Sequence, residues 1–245
     1  NIGDWSSDVC SSDLRCSMAD HLVNGKPLVD GVFSLPRAGL WIADVQFSGA
    51  TGVTVGERVE FEAAGVVRVG TVIRADDAYL TPRARIIGGA GKLYAELSAR
   101  DYRGFMLGRI ATDALADAGE EYDSSWTDVL SQQVPHYTRA RGPLAYLLRS
   151  IAKRAPSDYT WRAQRDGVLS LVQETYSERT PSAPSEIASW PQEDRVLVGP
   201  MTTEAEPGMV INVFGIDRRI DRVVYYLCAQ EFRADIWYLP DEALT

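Results

Sequence analysis

From about Gly31 to Ala99 the apolar residues recur at every second position, and this constrains the fold more than any other feature of the chain. In GLWIADVQF, Trp41, Ala43, Val45 and Phe47 share one face, while Asp44 and Gln46 take the other. In ERVEFEA, Val59 and Phe61 oppose Arg58, Glu60 and Glu62. VVRVGTVIRA sets Val67, Val69, Thr71 and Ile73 against Arg68, Gly70 and Arg74. YLTPRARII and KLYAELSA continue the alternation, the second with Leu93, Ala95 and Leu97 on one side. Gly52, Gly56, Gly65, Asp76-Asp77 and Gly88-Gly89 punctuate the runs. Side chains alternate across a strand, so this pattern predicts short antiparallel strands joined by tight turns, as in a barrel or sandwich.

The period then changes. In GFMLGRIATDALADAGE, Leu107, Ile110, Ala111, Ala114, Leu115 and Ala118 recur at three and four, and Gly119 stands just past the end. This predicts an amphipathic helix closed by a left-handed glycine. SSWTDVLSQ predicts a short second helix. GPLAYLLRSIAKRA predicts a third, with Pro143 at its first position and Leu144, Leu147, Leu148 and Ile151 as the buried stripe. Period two returns in YTWRAQRDGVLSLVQ, where Asp166-Gly167 signals a hairpin. Residues 177–192, with Pro181, Pro184 and Pro191, read as a loop, and strands follow at about 194–198, 209–214, 219–228 and 232–239. The resulting expectation is an α+β chain of two antiparallel β-barrel-like domains with a helical insert between them. Its parts are a first barrel at 18–100, the insert at 101–156 and a second barrel at 157–245.

Residues 4–14, DWSSDVCSSDL, follow neither period. All eleven match one reading frame of a common short-read sequencing adapter, so residues 1–17 read as an adapter-derived scar and non-native leader, with Met18 the first native residue. Without Asp4, Asp8 and Asp13 the net charge moves from −9 to −6. Either value argues against a general nucleic-acid binder, because such proteins carry a basic face. Arg139, Arg141, Arg149, Lys153 and Arg154 cluster, the last three near helical spacing, and read as a solvated face. No apolar run is long enough to span a membrane, and the first 14 residues lack the basic and apolar regions of a signal peptide. Cys10, Cys16 and Cys228 match no zinc spacing and read as free thiols.

The catalytic inventory is thin. His21 lies near the start and His136 in VPHYTRARG, just before a helix; both read as structural or solvent-exposed. No GxSxG elbow, HExxH or paired-Cys motif occurs. GGAGKL at 88–93 fails as a phosphate loop, since Ile86 and Leu93 stand where the motif requires Gly and Ser or Thr; it reads as a turn. Glu120, Glu121 and Asp123 follow a helix end and read as a polar loop, although a carboxylate pair for hydrolysis is not decidable from spacing. The expectation is therefore no catalytic, cofactor or metal residues.

LSARDYRG followed by GRIATDALADAGE resembles the passage of phage tail baseplate hub proteins where a first barrel hands over to a helical insert. There a Tyr-x-Gly turn precedes a helix ending in Gly, as Tyr102, Gly104 and Gly119 do here. VPHYTRARGPLAYLLRSIAKRA, then YTWRAQRDGVLSL, is similar to the next passage, and RRIDRVVYYLCAQEFRADIWYL to the last strand pair. The resemblance covers roughly residues 28–240 and rests on element order. The family comprises Mu-type hub proteins, late-control tail proteins and the hub part of type VI secretion spikes. It implies a non-catalytic virion structural protein that joins tail tube to spike, with two barrel-like domains per chain and three chains in a ring. The implied partners are itself as a homotrimer, the tail tube, the spike and other baseplate proteins, with assembly in the host cytoplasm. Two departures stand out: these 245 residues contain no repetitive β-helical needle, and Met106 occupies a position where the family implies a small polar residue.

Self-assembly needs apolar surface, and the C-terminal strands supply it on both parities. Val224, Tyr226, Ile236 and Tyr238 make one set, Val223, Tyr225, Leu227 and Trp237 the other, and the second set is the candidate subunit interface. Two other readings stay open: a tail-associated cell-wall hydrolase using Glu120 or Glu121, and a small-ligand β-domain with a large apolar pocket.

Overall fold

The computed structural model describes residues 21–63, 65–78, 81–174, 187–190, 195–198, 205–213, 216–227 and 232–238. The first part contains β1 (His21–Val23), β2 (Lys26–Pro36), β3 (Ile42–Phe47), β4 (Arg58–Ala63), β5 (Val66–Asp76) and β6 (Arg83–Gly88). β7 (Glu96–Leu97), β8 (Arg100–Met106), α1 (Leu107–Ala118), α2 (Ser125–Val129), β9 (Gln133–Arg139), β10 (Gly142–Pro143) and α3 (Leu144–Ala152) follow. The rest is β11 (Tyr159–Ala163), β12 (Leu169–Gln173), β13 (Ile187–Trp190), β14 (Arg195–Val198), β15 (Val210–Val213), β16 (Ile216–Leu227) and β17 (Phe232–Tyr238). The leader, Met18, Cys10, Cys16 and Cys228 lie outside the described residues, as does the stretch read as a loop at 177–192 except for β13.

Six strands pair in the order β1-β4-β5-β6-β3-β2, and β1 pairs back onto β2, which closes a barrel. The expectation of two barrels is wrong: the described residues form one closed six-stranded barrel, with helices and three small open sheets beside it. The reason lies in β2. Its first residues close the ring on β1, while Val32–Pro36 pair with β16, from which the sheet runs on through β17, β14 and β13. The C-terminal strands thus extend the barrel's own sheet. Their inner face also joins the barrel's core: the Tyr225 ring stacks on Phe33 at 5.8 Å, and Phe33 meets Phe61 and Trp41 edge-on at 4.8 and 5.7 Å.

Alternation predicts the inward residues of β3 and β4 correctly, from Ala43, Val45 and Phe47 to Val59 and Phe61. It inverts β5. Arg68, Gly70 and Val72 are buried, whereas Val67 and Ile73 are exposed. Trp41 explains the inversion, because its ring fills the interior where β5 passes. A Cβ on Gly70 would lie 2.6 Å from that ring. KLYAELSA is mostly irregular, with a turn at Leu93-Tyr94 and only the two residues of β7 in a strand.

α1 buries Leu107, Ile110, Ala111, Ala114 and Leu115, and Gly119 ends it at φ +77°. Met106 offers no capping side chain. The first helical N–H groups instead donate to main-chain carbonyls: Leu107 to Gln132 at 3.0 Å and Gly108 to Leu130 at 2.9 Å. Tertiary contacts therefore do the work of the missing polar cap. The stretch expected to be helical also carries β8, β9 and β10, with β8 and β9 forming an antiparallel ribbon. Pro143 is the extended residue before α3 rather than its first helical one, and Leu144, Leu148 and Ile151 are buried beneath it. β11 and β12 form the hairpin predicted from Asp166-Gly167.

Candidate assembly surfaces

The acidic segment after α1 is a joint. Glu120 is buried, and its two carboxylate oxygens accept the main-chain N–H groups of Ala90 and Lys92, the latter at 2.7 Å. Burial pushes its pKa up, and the two hydrogen bonds oppose that shift. GGAGKL does cradle an anion with its backbone, but the anion is this internal carboxylate. Glu121 pairs with Arg58 at 2.5 Å, and Asp123 accepts the hydroxyls of Ser125 and Ser170, the latter at 2.5 Å. The helix end is thereby tied to the barrel's 88–92 turn, to β4 and to the hairpin. Both Glu120 oxygens are occupied by structural donors, so this segment gives no support to the hydrolase reading.

A second joint ties α1 to the β8–β9 ribbon. The Tyr102 hydroxyl donates to Asp113 at 2.5 Å, Arg100 reaches Asp113 at 2.7 Å and Arg139 reaches Asp117 at 2.7 Å. Burial, with the Asp113 carboxylate beside it, pushes the Tyr102 phenol up to about 12. His136 lies within β9, not in a loop, exposed and 3.6 Å from Asp101. His21 is buried in β1. Among the described residues no group of three or more His, Cys, Asp or Glu could hold a metal ion.

The candidate interface residues divide between two faces. Val223 pairs with Ile236 and Tyr225 with Ala234, so these four share a face with Leu227 and Tyr238. Val223, Tyr225 and Leu227 are 4% exposed or less and pack inside the chain. Trp237 lies on the opposite face with Val224 and Tyr226, half-buried, with the Arg222 guanidinium 4.9 Å over its ring. The parities assigned from sequence paired Trp237 with the wrong strand residues, because register across the intervening turn is not fixed by alternation.

Exposed apolar residues occur elsewhere. Tyr94 is 80% and Tyr146 73% exposed, and the Ala145 N–H donates to Leu93 at 2.9 Å, so the two tyrosines come from segments bonded side by side. Phe105 and Met106 protrude at the end of β8. Sequence reasoning missed both pairs. Tyr146 had a visible signal, since it lies off the apolar stripe of α3.

No protein-family model matches the chain, and no curated protein sequence matches it. Solved structures do resemble it. The 43 kDa tail protein of prophage MuSo2 from Shewanella oneidensis superposes with a TM-score of 0.67 at 11% identity, covering 92% of this chain and 98% of that one. A tail protein from Neisseria meningitidis MC58 gives 0.62 at 12% identity, over 91% and 97%. The E. coli c3393 protein gives 0.61 at 12% identity, over 90% and 76%; it is described as a type VI secretion component with structural similarity to the T4 tail proteins gp27 and gp5. The chain therefore has the fold of phage-type tail proteins over nine-tenths of its length.

Proposed function

We propose that this chain is a non-catalytic structural protein of a phage-type tail, a baseplate hub component that joins tail tube to spike and works as a homotrimer in the virion. The observation that carries the reading is the fold likeness to tail proteins over 90% or more of the chain. The joints around Glu120 and Asp113 support it as well. They spend the chain's conspicuous carboxylates on holding elements together, as a scaffold requires. Exposed apolar side chains supply what subunits need to bury. In this reading the candidate interface works through both faces of the C-terminal pair. Val223, Tyr225 and Leu227 fix the strand to the core, and Trp237 on the other face meets a neighbour, with Tyr94 and Tyr146 as a second contact. Sedimentation of the purified protein across concentration, alone and with the products of neighbouring genes, tests this. A trimer that Tyr94→Ser with Tyr146→Ser weakens is expected. A monomer under every condition would sink the hub reading.

A further inference from the structure

Between the barrel, the β11–β12 hairpin and Glu206-Pro207 lies a half-open pocket of about 480 Å³, within the range of roughly 300–1,000 Å³ common to small-ligand sites. Arg68, Arg162, Arg165 and Gln164 line it, together with Glu206 and Asp166. Three guanidinium groups thus converge in a chain whose net charge is −9, so general basicity does not explain them.

The local carboxylates leave donors to spare. A single oxygen of Glu206 takes both Arg68, at 3.1 Å, and Arg165, at 2.5 Å. The Asp166 carboxylate is turned back onto the Val168 N–H of its own turn, at 3.0 Å. Arg162 donates to the Pro207 carbonyl at 3.0 Å and feels the charge of Glu206, but makes no direct ion pair among the described residues. Arg68 is 7% exposed, and its Nε has no hydrogen-bond partner among the described residues; nor has the buried Nε2 of Gln164. Buried donors of this kind are normally satisfied, and a guanidinium fork is matched by the paired oxygens of a carboxylate or phosphate. Burial also lowers the pKa of Arg68, against the pull of Glu206, so a further negative charge there would favour its ionised form.

We propose that this pocket binds a small free oxyanion of the carboxylate or phosphate class, with Arg162 and Arg165 at the rim and Arg68 and Gln164 supplying the inner donors. The site stands apart from the assembly surfaces above and does not depend on the hub reading. Isothermal titration of the unaltered protein with inorganic phosphate and with citrate, against chloride at matched ionic strength, is the test. Saturable one-to-one binding of at least one oxyanion is expected. The double variant Arg162→Gln with Arg165→Gln should weaken it tenfold or more, while Arg141→Gln, which removes an exposed charge elsewhere, should leave it unchanged. If the double variant does not fold, Arg162→Gln alone replaces it, with a several-fold loss expected. Absence of saturable binding of both probes, or equal binding by the rim variants, overturns the proposal.

Discussion

The barrel's interior and the seam where the hairpin and C-terminal strands meet it are built from opposite materials. Inside, Trp41, Phe33 and Phe61 are 3% exposed or less and pack ring against ring. At the seam, Glu174 is buried between Arg37 at 2.5 Å and Arg219 at 3.3 Å, and a half-buried Glu206 bridges Arg68 and Arg165. Aromatic packing rewards burial of almost any shape that fits, whereas a desolvated charge is tolerated only beside its partner. The difference teaches that the aromatic interior supplies the bulk of the shared core, while the seam specifies which elements dock on the barrel and in what register.

Breaking the seam should therefore have the largest effect. Glu174→Ala leaves two arginines facing a lost carboxylate and should cost about 3–5 kcal/mol in chemical denaturation. A loss under about 1 kcal/mol would mean that the ion pairs are incidental. Leu115→Ala and Leu148→Ala each remove a fully buried side chain and should cost about 2–5 kcal/mol. Gly70→Ala tests the barrel by overfilling. The new methyl meets the Trp41 ring and the Ile87 carbonyl, for an expected loss of about 1–3 kcal/mol, and Trp41→Leu in the same background should relieve part of it.

Tyr102→Phe should cost about 1 kcal/mol at neutral pH, through its hydrogen bond to Asp113. Its pKa is raised from 10.0 to about 12 on folding, so the stability it contributes is full below pH 10 and lost as pH rises through 12. The variant should flatten that alkaline decline; an unchanged slope would show that other groups set it. At the small end, the exposed Arg85–Asp44 pair should contribute only about 0–1 kcal/mol, and Arg85→Ala should barely move the melting temperature.

Much of this fold was legible in the sequence, and the failures have physical causes. The β3 and β4 faces, α1 with its Gly119 end, and the Asp166-Gly167 hairpin followed from local periodicity alone. β5 did not, because one large residue, Trp41, displaced the expected apolar face and left Arg68 pointing inward. That inversion also hid the arginine pocket. The count of barrels was not legible, because nothing local in β2 says that its two halves serve different partners. Nor was the role of Glu120, whose partners are main-chain groups about thirty residues away.

If β2 joins the closed barrel and the C-terminal strands in one core, then the chain should unfold as one unit. Differential scanning calorimetry measures this directly. A single endotherm whose calorimetric and van't Hoff enthalpies agree is the expected result. Two separable transitions, with the C-terminal strands melting independently of the barrel, would contradict a shared core and restore the picture of two domains.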